Sequence, residues 1–230
     1  MEKNQYELCI KVLERLDKAG ILQDVILIGS WCIPFYKDYF GNVKYPTAIK
    51  TRDVDFLIPT PSKTKTKADI PKLLKDLGFL IDFKGSEGYI QLEHSDLIIE
   101  FLVPEKGRGS DKPYQLPQFG LNAQPLRFLD LLILDTIKVK IEGIEVDIPH
   151  PANFALHKLI VFQRRAKEEK VLKDRNAAVE ILNALINKGD VVIIKHVFNS
   201  MIPKWQKKVV KGLEEAEEKD ILNILNLKNA

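Results

Sequence analysis

Asp53-Val54-Asp55 is the spacing in this chain best suited to chemistry. In a strand, residues two apart point to the same side, so both carboxylates face one point while Val54 faces the other. Paired oxygen ligands suit Mg²⁺, which takes one or two carboxylates and fills its shell with phosphate and water oxygens. A D-x-D is also a common solvated strand end, and alone it does not separate the two readings. Gly29-Ser30 adds a second signal. A strand that ends in Gly-Ser and turns into a helix aims backbone N–H groups at an anion, and glycine lets a phosphate approach. The alternative is an ordinary N-cap serine. A third acid, Glu100, lies in the otherwise apolar run DLIIEFL. A carboxylate there is either paired or metal-bound, or it faces water at a strand edge. Three acids on neighbouring strands would hold two Mg²⁺ ions, one at an attacking hydroxyl and one at a departing pyrophosphate.

The elements that must position these residues follow from periodicity. Residues 2–19 carry Cys9, Val12, Leu13 and Leu16 at helical spacing, with Gly20 as a stop. VILIG (25–29) reads as a buried strand, and SWCIPFYKDYF as a short helix with Ser30 at its N-cap and Pro34 in its first turn. KYPTAIKTR (44–52) is polar and irregular, and VDFLIP (54–59) is a second strand. After a basic loop at 60–67, DIPKLLKDLGF reads as a helix capped by Asp69 and closed by Gly78. LIDFKG, GYIQLEH and DLIIEFLVP are three consecutive strands. Residues 104–120 read as a long Gly/Pro-rich loop, and 127–149 as further strands with a hairpin turn at Glu142-Gly143. Beyond His150-Pro151 every patterned segment is helical. The expected division is therefore an α/β core over 1–150 and a helical region over 151–230.

Composition permits this and narrows the alternatives. The chain has 230 residues, 45% hydrophobic and 29% charged, with a formal net charge of +3. That charge does not by itself call for a nucleic-acid partner. Cys9 and Cys32 show no metal-ligand spacing, which argues against a zinc site. The charged, amphipathic first residues do not read as a signal peptide, and no apolar run reaches membrane-span length. The expectation is a cytoplasmic protein without membrane contact, its oligomeric state left open.

The order of strand, Gly-Ser, helix, then D-x-D on a strand, then a later strand acid resembles the DNA polymerase β-type nucleotidyltransferase superfamily. LIGSWCIPFY and TRDVDFLIP look most like a prokaryotic group of predicted nucleotidyltransferases of undefined substrate. The likeness continues through LVPEKGRG, LNAQPLRFLDLLI, VDIPHPANFALHKLIVFQRR and KVLKDRNAAVEIL, roughly residues 25–185. A more distant similarity links it to abortive-infection type toxin nucleotidyltransferases. The resemblance implies an α+β fold: a nucleotidyltransferase core with a mixed β-sheet flanked by helices, followed by a C-terminal helical region. It implies that Gly29 and Ser30 bind the triphosphate and that Asp53 and Asp55 hold the catalytic metal. Glu100 stands where many relatives carry an aspartate, one methylene shorter. The implied reaction uses NTP and two Mg²⁺ ions. It passes a nucleoside monophosphate to a hydroxyl of a protein, an RNA or a small molecule and releases pyrophosphate.

Two further cations are candidates for nucleotide contact. Arg52, beside the D-x-D, either meets phosphate or pairs with an acid. Lys158 lies among apolar residues in FALHKLIVFQRR, with Val161, Phe162 and Arg165 on the same helical face. By the resemblance it reaches either a nucleotide triphosphate or a structural carboxylate, Asp174. The basic run over 157–175 is a solvated face or, if the acceptor is RNA, a phosphate-tracking one. Trp31 packs, or stacks on a base. His94, His150, His157 and His196 show no ligand spacing. Two rival readings keep the fold and change the role: a catalytically silent module that binds nucleotide or protein, and the toxin half of a toxin–antitoxin pair.

Overall fold

The computed structural model describes residues 3–46, 51–107 and 112–226. Parts of the expected irregular stretch 44–52 and of the expected loop 104–120 lie outside these residues. Two compact units divide the described chain. The first holds the residues up to Phe35 and those from 51 to Pro149, and the second holds Tyr36 to 46 and the chain from His150 onward.

In the first unit, α1 (Lys3–Lys18) buries Cys9, Val12, Leu13 and Leu16, the stripe expected from helical spacing. Next, β1 (Ile26–Ile28) is buried throughout. A 3₁₀ turn over Gly29–Trp31 leads into α2 (Cys32–Phe35). The short α3 (Lys37–Phe40) belongs to the second unit. The chain returns to the first unit with β2 (Asp53–Leu57) and α4 (Ile70–Leu74). Asp69 caps α4 as expected, its Oδ1 accepting from the Lys72 N–H at 3.0 Å. Then come β3 (Leu80–Lys84), β4 (Tyr89–Glu93), β5 (Ile98–Pro104), β6 (Tyr114–Leu116) and β7 (Leu121–Leu126). After α5 (Asp130–Ile133), β8 (Thr136–Ile141) and β9 (Ile144–Pro149) form a separate hairpin that packs against β1. Its turn is Glu142-Gly143, with φ of 47° and 90°. Two positive φ values in sequence are what a type I′ hairpin turn requires.

The main sheet runs β1-β2-β5-β4-β3, and β5 is its hub. One edge of β5 pairs parallel with β2 along the whole of β2. Its other edge is shared: β4 takes Ile98 to Glu100 antiparallel, and β7 takes Leu102 to Pro104 in parallel. The buried Asn122 joins the two rivals for that edge. Its Oδ1 accepts from the Ile90 N–H at 2.8 Å and its Nδ2 donates to the Gly88 carbonyl at 3.1 Å. One face of the hub buries Val54, Phe56, Ile99 and Phe101, with the Phe56 and Phe101 rings stacked 5.5 Å apart. On the other face, Leu57 and Leu102 pack with Ile26, Ile28, Leu129 and Leu132. That cluster closes one end of the face, and the acids occupy the other end.

Two expectations are corrected. The stretch 104–120 is not one loop, because Tyr114–Leu116 folds back as β6 onto β7. Residues 127–135 are not strand: Phe128 has φ of 70° and Asp130–Ile133 is helical. Leu129 and Leu132, three apart, both reach the cluster over β2 and β5, which a helical turn allows and an extended strand does not.

In the second unit, α6 (Pro151–Val161) is buried from Pro151 to Ile160, with Asn153, His157 and Lys158 among its buried residues. It ends in a 3₁₀ turn over Phe162–Arg164, earlier than the expected helix. Around it lie α7 (Glu168–Lys188), α8 (Val191–Ser200) and α9 (Pro203–Glu215), with α10 (Lys219–Asn226) against α8 and α9. Gly212 lets α9 approach α6, since a Cβ there would stand 2.7 Å from the Leu159 carbonyl oxygen. His150 caps α6: its Nδ1 accepts from the Ala152 N–H at 3.1 Å, which leaves Nε2–H for the Tyr39 hydroxyl at 2.9 Å. No helix among the described residues is long and apolar enough to cross a membrane.

His157 is buried on α6, and its Nε2 has no hydrogen-bond partner among the described residues. Burial, with the Lys158 charge beside it, depresses its pKa from 6.5 to about 3. The unfolded chain therefore takes up a proton that the folded chain refuses, and stability falls as pH drops from about 6.5 toward about 3. His157→Gln should flatten urea-derived stability against pH across that window, by up to ~1.4 kcal/mol per pH unit.

Candidate active site

The ladder between β2 and β5 assembles the acids. Asp55 stands directly opposite Glu100, and Asp53 opposite Ile98. Facing residues in a ladder share a side, and so do residues two apart on one strand. Asp53, Asp55 and Glu100 therefore lie on one face, while Val54, 1% exposed, anchors the other. All three acids are partly buried.

The antiparallel pairing of β1 with β2 sets Ile28 opposite Asp55. Gly29 and Ser30 thus follow directly beside the D-x-D. Gly29 has φ of 77°, and a Cβ on it would fall 2.5 Å from Asp55 Oδ2. The glycine is demanded twice over, by its backbone conformation and by the carboxylate packed against it. Ser30 is buried and is not a helix N-cap. It lies inside the 3₁₀ turn, whose N-cap position falls on Ile28. The tight turn begins at once after β1, two residues earlier than a serine-capped helix would. Trp31 is fully buried, 6.4 Å from the Phe35 ring, so it packs.

Glu100 is engaged from the side away from Asp55. Lys84, on β3, donates to Glu100 Oε1 at 2.7 Å across the intervening β4. Sequence reasoning missed Lys84, since nothing local marks it; only the sheet order brings it to Glu100. With Glu100 turned to a lysine, no group of three acid, histidine or cysteine side chains among the described residues is arranged to hold a metal ion. The donor chemistry of Asp53 and Asp55, two carboxylates on one face beside a glycine that keeps the backbone clear, does fit Mg²⁺. Arg52 donates to the His94 carbonyl at 2.6 Å and lies 3.7 Å from Glu93, the acid-pairing alternative of its two readings.

Lys158 belongs to the second unit and is buried there against Asp174, 2.5 Å away. Arg165 meets the other Asp174 oxygen at 2.8 Å. Burial alone would raise the Asp174 pKa, but Lys158 and Arg165 outweigh it and hold the carboxyl below its ordinary value. Of the two readings for Lys158, the structure displays the carboxylate pair, which ties α6 to α7.

The profile of a nucleotidyltransferase family matches residues 7–193. A search of curated proteins finds no match. An antigenic nucleotidyltransferase-like protein from Paracoccidioides brasiliensis superposes with a TM-score of 0.52 at 16% identity, over 96% of this chain and 93% of that one. ANT(2″)-Ia in complex with adenylyl-2″-tobramycin gives 0.49 at 12% identity, over 93% of this chain and 99% of that one. At 16% identity the likeness to the Paracoccidioides brasiliensis protein speaks for fold alone.

Two substitutions separate the roles of these residues. Gly29→Ala should cost about 1–3 kcal/mol in urea unfolding, through the strained φ and the clash with Asp55. Lys158→Met should cost about 3 kcal/mol, the lower end for breaking a buried pair, because Arg165 still meets Asp174. A Lys158→Met protein of wild-type stability would contradict the structural role.

Proposed function

This chain belongs to the nucleotidyltransferase family, and we propose that it transfers a nucleoside monophosphate from an NTP to a hydroxyl acceptor, with Asp53 and Asp55 as its metal ligands. One observation carries this reading: the sheet register sets Asp55 against Glu100 on one side and against Gly29 on the other. Bound between the two aspartates, Mg²⁺ would neutralise phosphate charge and polarise the acceptor oxygen.

The chain's own residues do the rest. Gly29 keeps the backbone open to a phosphate, and the N–H groups of the following turn, with the Ser30 hydroxyl, donate to the β- and γ-phosphate oxygens. The acceptor oxygen forms a bond to the α-phosphorus as the bond to the β-phosphate oxygen breaks. The electron pair leaves with pyrophosphate, and the acceptor's proton passes to the Glu100 carboxylate. Arg52 and Lys158, each already matched to an acid, are assigned to holding the fold.

The Lys84–Glu100 pair favours one alternative, a fold that binds nucleotide without turnover. Pyrophosphate release and label transfer from each NTP, with Mg²⁺ and pools of protein, RNA and small-molecule hydroxyl acceptors, decide between the two. The enzyme reading predicts product from the wild type. Asp53→Asn and Asp55→Asn should each reduce it at least about a hundredfold to a thousandfold, the scale of losing one preorganised electrostatic group, with thermal unfolding unchanged. Turnover retained in both variants would contradict the assignment.

A further inference from the structure

The strand β3 is the outermost of its sheet, and among the described residues its second edge pairs with no strand. All of its residues are exposed. Three are large and apolar: Leu80 at 68%, Ile81 at 49% and Phe83 at 65% exposure. Such an edge recruits another strand, because its N–H and C=O groups lack ladder partners and its side chains gain by burial. Asp82 and Lys84 alternate with the apolar pair Ile81 and Phe83, so β3 carries one charge of each sign on a single face.

We infer that β3 pairs antiparallel with β3 of a second copy of this chain, extending the sheet across a two-fold axis. Charge selects both the partner and the register. Facing residues must share a side, so a two-fold pairing is centred on a residue, never between two. Centring on Asp82 or on Lys84 sets like charges face to face, which destabilises a sheet. Centring on Ile81 sets Asp82 against Leu80 and leaves Lys84 without an acid opposite. Centring on Phe83 places Asp82 opposite Lys84 of the second copy, Lys84 opposite its Asp82, and the two Phe83 rings together at the axis. Opposite charges and aromatic pairs each favour a ladder, and only this register has all of them. The strand is self-complementary, which is what an isologous two-fold contact requires. Lys84 then serves two acids, Glu100 of its own chain and Asp82 of the other. A single short strand a side makes a small interface, so the dimer is weak and depends on concentration. None of this rests on nucleotide chemistry.

Sedimentation equilibrium of the full chain over a concentration series tests the inference, with Asp82→Lys and Lys84→Asp measured alone and mixed in equal amounts. The wild type should double in mass as concentration rises. Each variant alone faces like charges at both contacts, so its dimerisation should weaken about tenfold or more. In the mixture every facing charge is again opposite, and the dimer should return. A wild type that stays monomeric, single variants that dimerise as the wild type does, or a mixture that stays monomeric would each overturn it.

Discussion

The parallel ladder between β2 and β5 is the constraint on which the site depends. Its register decides which residue of the apolar run around Glu100 meets Asp55. Shifted by one residue, it would put Glu100 on the side of Val54 and Phe56, where a charge has no partner, and would turn Ile99 and Phe101 toward the carboxylates. The stacked Phe56 and Phe101 on one face, and Leu57 and Leu102 under Leu129 and Leu132 on the other, therefore hold the acids in place by excluding every other register. Stability and chemistry here are two faces of one strand pair.

Placing acids at the end of a buried ladder costs solvation, and the surroundings offset it in different ways. Asp55 is pressed against Gly29, where even one methyl group would displace it. Glu100 has the extra methylene that lets its carboxylate reach toward β3, where Lys84 meets it. A shorter aspartate at that position would stay closer to β2 and Asp55. In the second unit the same problem has a fixed solution, since Asp174 binds Lys158 and Arg165 at once and stays ionised below its ordinary pKa.

Much of this was legible in the chain because it is written in local spacing. Asp53 and Asp55 two apart on an apolar strand, Gly29-Ser30 after β1, and Glu100 alone among aliphatic residues all point to their positions by residue type. The Asp69 cap and the Glu142-Gly143 turn are equally local. What could not be read depends on contacts far apart in sequence. Lys84 is one lysine among many until the order β5-β4-β3 brings it to Glu100. The strand β7 contains Asn122, Gln124 and Pro125, which spoil any alternation, and it exists because half an edge of β5 is left over by β4. Ser30 looked like a cap because the chain turns there, but the turn is 3₁₀ and starts at Gly29. Leu129 and Leu132 sat in an apolar run whose length cannot tell strand from helical turn.

The central claim is that Asp53 and Asp55 form a metal–triphosphate site beside Gly29. Its most direct test is thermal unfolding of the wild type and of the Asp53→Asn/Asp55→Asn double variant, with Mg²⁺ and each of the four NTPs in turn. A ligand that binds only the folded state at a hundred times its Kd adds about 2.7 kcal/mol, which is worth a rise of roughly 5–10 °C in Tm for a chain of this size. The account predicts such a rise for the wild type with at least one NTP, dependent on Mg²⁺ and absent from the double variant. Equal rises in both proteins, or none in the wild type with any NTP, would contradict it.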